Sequence, residues 1–258
     1  LGALEPGDAA LIVGTSNVCT VQSETLQELK DVCGVAQDGM VVGRCGIDTG
    51  QSSTGNMLGW FVEHMADWQV HQEAEERQIS PHQVLTERIE KPWENQVTAV
   101  DWWSGSRNAP CDLSLLGGMA GLGMETGAED SYLALLQAIV CGTGVILDSL
   151  SEQGVKVKRL LATGGITEKN PLLMQEYANL LHRQILVGKI AEGPALGAAM
   201  YAALAAGIYK DIQETYDHMG VHDFAVYKPD ETHRAAYEEL YRKNKNLRKM
   251  LSKAREDV

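Results

Sequence analysis

Between Asp8 and Ser23 two apolar runs, DAALIV and VCTVQS, are separated by only Gly14, Thr15, Ser16 and Asn17. So short a connection, with glycine at its start, joins two strands as a hairpin. A third run, MVVGRCGID (Met40 to Asp48), reads as a strand. Paired antiparallel with the second, it returns Asp48 to the sheet edge that carries the Gly14–Thr15 tip. Further along the pattern changes. VKRLLATGG reads as a strand and NPLLMQEYANLLH as a helix; RQILVGK is again a strand, and EGPALGAAMYAALAAG a helix. A meander followed by strand–helix units specifies an α/β fold, a mixed sheet with helices packed on it. It is not the regular alternation of a dinucleotide-binding domain.

The segments between these strands fill in the organisation. SSTGNMLGWFVEHMADW has helical spacing, with Met57, Trp60, Phe61, His64 and Met65 on one side. Ser52, Ser53 and Thr54 offer N-cap oxygens. Residues from about 71 to 110 read as an exposed helical insertion interrupted at Pro81, and Leu113 to Gly127 as a glycine-rich connection. EDSYLALLQAIVCGTGVILDSLSEQG is one long helix closed by Gly154. The tail, 208–258, reads as two helical pieces around GVHDFAVYKPDE, its basic run RKNKNLRK a solvated helix face. The expected division is a main domain, 1–207, carrying the insertion, with the 208–258 extension packed on it.

A formal net charge of −13 argues against nucleic acid as a partner, since a nucleic-acid binder needs a basic face. It leaves room for a small phosphorylated ligand held by backbone N–H groups. The five cysteines are odd in number and never spaced C-x-x-C, which reads as reduced thiols in a cytoplasmic protein. The longest uncharged runs, Ser131 to Leu147 and Gly193 to Tyr209, fall short of the ~20 residues of a bilayer span. No membrane partner is expected. The histidines show no metal-ligand spacing. His64 reads as a core or edge residue, and Trp102 and Trp103 as packing for the insertion, or else as a stacking platform for a sugar ring.

Glycines mark the candidate site. Gly164 and Gly165 end a strand just before a helix that starts near Asn170. A ring or phosphate can approach backbone there only where no Cβ intervenes, and a helix N-terminus favours an anion. The Gly14–Asn17 tip offers N–H groups with the Thr15 and Ser16 hydroxyls. Gly55 and Gly59 are four apart, hence on one helix face. Each costs a helix about 1 kcal/mol relative to alanine, which close approach of another group would explain. Turn chemistry or tight helix–sheet packing would explain any one of these glycines equally well. GGMAGLG lacks a strand-then-helix context and reads as loop.

Taken in order, LGALEPGDAALIVGTSN, GIDTGQSSTGNMLGWFVEH, ATGGITEKNPLLMQ, GPALGAAMYAALAAG and VYKPDETHRAAYEELY resemble the C-terminal domain of the FGGY carbohydrate kinases, most of all their ribulokinase branch. The resemblance covers nearly the whole chain. It implies the actin-like, ribonuclease-H-like fold, in which two such domains clamp ATP and a sugar. It also implies that Gly14 and Thr15 touch the ATP phosphates and that Gly55 and Gly59 lie beside the nucleotide. Gly164, Gly165, Lys169 and Asn170 would bound the adenosine pocket. Mg2+ would be held mainly through the phosphates, with no metal ligand in this chain.

The catalytic base of that family resembles an aspartate just before the first strand of this domain, and Leu1 follows where it should stand. No catalytic residue is therefore expected in this chain, and a missing N-terminal kinase domain is its expected partner. Asp8 does not substitute. It precedes the strand whose far end carries Thr15, at ~3.3 Å per residue roughly 20 Å away, and reads as a turn residue. Asp48 and Gln51 are the candidate sugar contacts. Ribulokinases resemble E-A-G-Q here; the shorter aspartate of DTGQ leaves the sugar open between a ketopentose such as ribulose and another polyol. A different class of function is a non-catalytic actin-like module that binds nucleotide or a protein partner. An exposed interdomain face would also permit association with a second copy.

Overall fold

The computed structural model describes residues 1–190 and 192–256. Its strands are β1 (Asp8–Val13), β2 (Asn17–Ser23), β3 (Gly34–Gln37), β4 (Cys45–Gln51), β5 (Thr98–Val100), β6 (Gly118–Ala120), β7 (Arg159–Thr163), β8 (Ile185–Gly188) and β9 (Phe224–Tyr227). Seven form one sheet in the order β3-β4-β2-β1-β7-β8-β9, and β5 pairs with β6. The helices are α1 (Gly55–His64), α2 (Trp68–Arg77), α3 (Pro81–Glu87), α4 (Ala128–Glu152), α5 (Gly165–Lys169), α6 (Pro171–Leu181), α7 (Gly193–Ala205), α8 (Ile212–Met219) and α9 (Arg234–Glu256).

The opening hairpin forms as its sequence dictates, with Val13 opposite Asn17. β7 and β8 run parallel to β1, each returned by a helix, so the sheet is mixed. The third strand lies further along than its apolar run suggests. β4 begins at Cys45 and continues three residues past Asp48 to Gln51, opposite Asn17. β3 and β9 are edge strands that the pattern does not announce. Both have four residues and no buried position, so no alternation marks them.

Ala9, Leu11, Val13, Cys19, Val21 and Ile47 are fully buried in the main core with α4 and α6. By length and composition α4 could cross a bilayer, but 83% of its most apolar window is buried inside the protein. The opposite sheet face carries Ala10, Ile12, Val18 and Thr20. It forms with α7 a groove of about 490 Å³. Pro171 starts α6. Gly154 takes the left-handed conformation that ends α4, with φ +87°.

Several expectations change on folding. Pro81 does not merely interrupt the 71–110 stretch; it starts α3, and Ser80 Oγ caps that helix by accepting from Gln83 N at 3.1 Å. Val70, Ala74, Val84 and Leu85 of this region are buried in the main core. Nor is the basic run of α9 wholly solvated, since Asn244, Leu247 and Arg248 are buried. His64 is exposed on α1. The tryptophans do pack the insertion onto the domain as expected, with Trp102 buried and Trp103 edge-on against Trp60 of α1. Asp8 closes the turn that begins at Glu5, its N donating to Glu5 O and its Oδ2 accepting from Glu5 N, each at 2.9 Å, but it does more than turn the chain. It starts β1 and accepts from Arg159 Nε at 2.7 Å and Nη2 at 2.5 Å, tying β1 to β7. Burial alone would raise its pKa, but the Arg159 hydrogen bonds and charge hold the carboxyl below its ordinary value. All five cysteines are free, and burial pushes the Cys19 and Cys141 thiols up to about 12, which leaves them unreactive.

Glu176 of α6 is fully buried. It accepts from Gln137 Nε2 and Tyr237 Oη, both at 2.8 Å. Burial raises its pKa above the ordinary 4.5, and the hydrogen bonds only partly oppose that. A carboxyl whose folded pKa is raised contributes its full stability below the unfolded value and loses it as pH rises through the folded one. Wild type should therefore lose stability relative to Glu176→Gln as pH rises above 4.5, by up to about 1.4 kcal/mol per pH unit. Urea midpoints of both proteins from pH 4.5 to 8 measure this. Parallel pH profiles would contradict it.

Candidate functional site

The pairing register brings four chain ends to one edge of the sheet: the ends of β1, β4 and β7 and the start of β2. In sheets with parallel strands, ligands bind outside the carboxyl ends of those strands. The tip between β1 and β2 is folded onto the start of α1. Thr54 N donates to Thr15 O and Gly55 N to Gly14 O, each at 3.0 Å. Thr54 occupies the N-cap position, yet its hydroxyl donates to Gly14 O at 2.8 Å instead of capping. Ser52 and Ser53 do not cap α1 either. Asn56 Oδ1 accepts from Met57 N at 3.0 Å.

The marked glycines divide into two kinds. A Cβ on Gly164 would lie 2.4 Å from Val13 O, and Gly164 has φ +115°. A Cβ on Gly55 would lie 2.7 Å from Gly14 O and from Ile166 Cδ1. These two let the tip, α1 and the β7 turn close on one another. Around Gly59 and Gly165, by contrast, nothing described lies within 4 Å of a Cβ. They leave open backbone on the two helices that flank the tip. The adjacent pair at 164–165 thus does two jobs: the first glycine packs backbone on backbone, and the second leaves space. The helix expected near Asn170 is preceded by the short α5, which begins at Gly165 itself. Lys169 ends α5 exposed, whereas Asn170 is buried and caps α6, its Oδ1 accepting from Leu173 N at 2.9 Å.

Asp48 and Gln51 are not brought together. They are three apart on one strand, so the pleat sends them to opposite faces. Asp48 is exposed, opposite Thr20 and Gly34. Gln51 is buried on the core face, its amide engaged on both sides. Nε2 donates to Asp101 Oδ2 at 2.6 Å and Ile139 O at 2.8 Å. Oε1 accepts from Asn17 Nδ2 at 2.7 Å and Thr143 Oγ1 at 2.8 Å.

Sequence reasoning passed over Thr163 and Asn17. Thr163 ends β7 immediately before Gly164; its buried Oγ1 has no hydrogen-bond partner among the described residues. Its place in ATGG was the available signal. Asn17 closes the tip, its Nδ2 also donating to Tyr177 Oη at 3.0 Å. Among the described residues no group of three His, Cys, Asp or Glu could hold a metal ion. At the edge the exposed Thr15 and the Thr163 hydroxyl stand beside backbone, groups of the kind that can meet an anion.

Residues 9–206 match the FGGY family of carbohydrate kinases, C-terminal domain. The chain is 37% identical to the ribulokinases of Halalkalibacterium halodurans and Geobacillus thermodenitrificans, over 100% of its own length and 47% of theirs. It thus spans about half the length of these relatives. Its fold superposes on a xylulose kinase from Rhodospirillum rubrum with a TM-score of 0.79 at 21% identity, covering 97% of this chain and 48% of that one. The mixed sheet and its flanking helices are those of the actin-like, ribonuclease-H-like fold, and the chain belongs to the FGGY carbohydrate kinases, as their C-terminal domain.

Proposed function

We propose that this chain is the nucleotide-binding half of a ribulokinase-like enzyme that transfers the ATP γ-phosphate to a hydroxyl of a ketopentose such as ribulose. The observation that carries the proposal is the convergence of the Gly14–Thr15 tip with the open backbone at Gly59 and Gly165. The tip meets the phosphates with backbone and the Thr15 hydroxyl. Gly59 and Gly165 let the nucleoside lie against α1 and α5, with Lys169 and Asn170 at its border. Gly55 and Gly164 shape the pocket from beneath. Mg2+ would supply charge neutralisation on the phosphates and would be held through the nucleotide. Asp48 lies on the open sheet face, where a sugar held by the preceding N-terminal domain would meet it. Gln51 fixes the strand end from the core side. The proton acceptor belongs to that preceding domain, and the assembled enzyme works in the cytoplasm.

The chain alone should show no sugar-dependent ADP production, and the chain joined to its N-terminal half should show it. In the joined protein Gly59→Leu should weaken Mg-ATP binding at least about tenfold. The same change should keep or raise the Tm, because leucine is the better helix former by nearly 1 kcal/mol. Calorimetric titration and thermal melting read the two effects separately. Undiminished Mg-ATP binding by Gly59→Leu would remove the nucleotide from this face. Binding without turnover of any sugar would make the chain a nucleotide-binding module.

A further inference from the structure

The Gly14–Asn17 tip is braced from beneath by buried polar side chains that begin on the last helix. Arg248 of α9 donates through Nη2 to Asp101 Oδ1, and its Nε donates to Asn244 Oδ1 at 2.7 Å. Asn244 Nδ2 in turn donates to Ala99 O of β5 at 2.6 Å. The other Asp101 oxygen accepts from Gln51, and Gln51 accepts from Asn17. The relative exposures are 7% for Arg248, 4% for Asp101, 5% for Gln51 and 1% for Asn17.

Such a chain is a poor device for stability alone. A buried ion pair roughly breaks even against apolar residues of the same volume. Its distinctive property is direction, because each link fixes the next side chain's orientation. The core is shaped around it. A Cβ on Gly142 of α4 would lie 2.4 Å from both Asp101 Oδ2 and Gln51 Nε2, so the helix is notched where these two meet. The far end is Asn17, whose backbone pairs with Val13 and closes the tip.

We propose that α9 positions the phosphate-side tip through Arg248, Asp101, Gln51 and Asn17, making Arg248 and Asp101 positioning residues for the nucleotide site. The nucleotide part rests on the function proposed above; the coupling of α9 to the tip does not. The test is amide hydrogen exchange at Gly14, Thr54 and Gly55, whose N–H groups hold the tip closed. Amides of β8 and β9, on the other side of the sheet, serve as reference. Arg248→Met should speed exchange at the tip by about tenfold relative to β8 and β9, and Arg248→Lys, which keeps the charge, should restore much of the protection. Gln51→Met cuts the middle link without stranding the ion pair, so it keeps the test available if Arg248→Met fails to fold. Mg-ATP affinity, by calorimetry, should fall by a similar factor in the same variants. Equal acceleration at tip and reference amides, or an unchanged tip in folded Gln51→Met, would overturn the coupling. Faster tip exchange with unaltered Mg-ATP affinity would uphold the coupling and overturn its role at the nucleotide site.

Discussion

Gly164→Ala is expected to destabilise the protein by about 2–6 kcal/mol, a large share of a typical net stability of about 5–15. Two costs add. At φ +115° and ψ 158° the backbone is in a region essentially reserved for glycine, worth about 1–3 kcal/mol of strain in any other residue. The new Cβ would also sit 2.4 Å from Val13 O. Backbone there cannot yield without parting β1 from β7, and overpacking of this kind costs about 1–3 kcal/mol. Gly165→Ala is the control. It has open space around its Cβ position and should change stability by less than about 1 kcal/mol. Urea unfolding of the two variants measures the contrast. Equal effects would mean that the 164–165 pair is ordinary turn chemistry.

Asp101→Ala should cost about 3–5 kcal/mol, because it leaves Arg248 charged and buried without its partner. The guanidinium retains Asn244 and the Trp102 ring, whose centroid is 5.3 Å away, but neither carries a compensating charge. Combining Asp101→Leu with Arg248→Met should cost less than the two single changes together, since neither charge is then stranded. A double-mutant cycle in urea decides this. A loss below about 1 kcal/mol in Asp101→Ala would show that water relieves the arginine.

How much of this was legible in the sequence follows the range of each signal. Local signals read correctly: the Gly14–Asn17 turn, the α4 spacing, Gly154 behind it, Pro171 at the start of α6. Signals that need a neighbour did not. β3 and β9 are too short and too exposed to alternate, and α5 hides between two glycines and a proline. Gly55 and Gly59 look alike in sequence; only the arrival of Gly14 and Ile166 separates them. Ending β4 at Asp48 missed the last turns of the pleat that carry Gln51 to the other face. Arg248 sits in a charged run, and nothing there announces that Asp101 waits 147 positions upstream.

The strand order also sets a timetable for biosynthesis. β1 finds its hairpin partner at once, but its parallel neighbour β7 begins 151 residues later. At about 5–20 residues per second a ribosome needs roughly 8–30 s to deliver it. Through that interval the apolar edge of β1 has no mate, and an open edge of this kind recruits strands from other chains. β9, which covers the far edge of β8, arrives later still, from the last part of the chain. The hazard of misassembly thus falls during translation, when the nascent chain depends on chaperones or on low local concentration. Yield in a producing cell should therefore respond to growth temperature and translation speed more than to the stability of the finished fold.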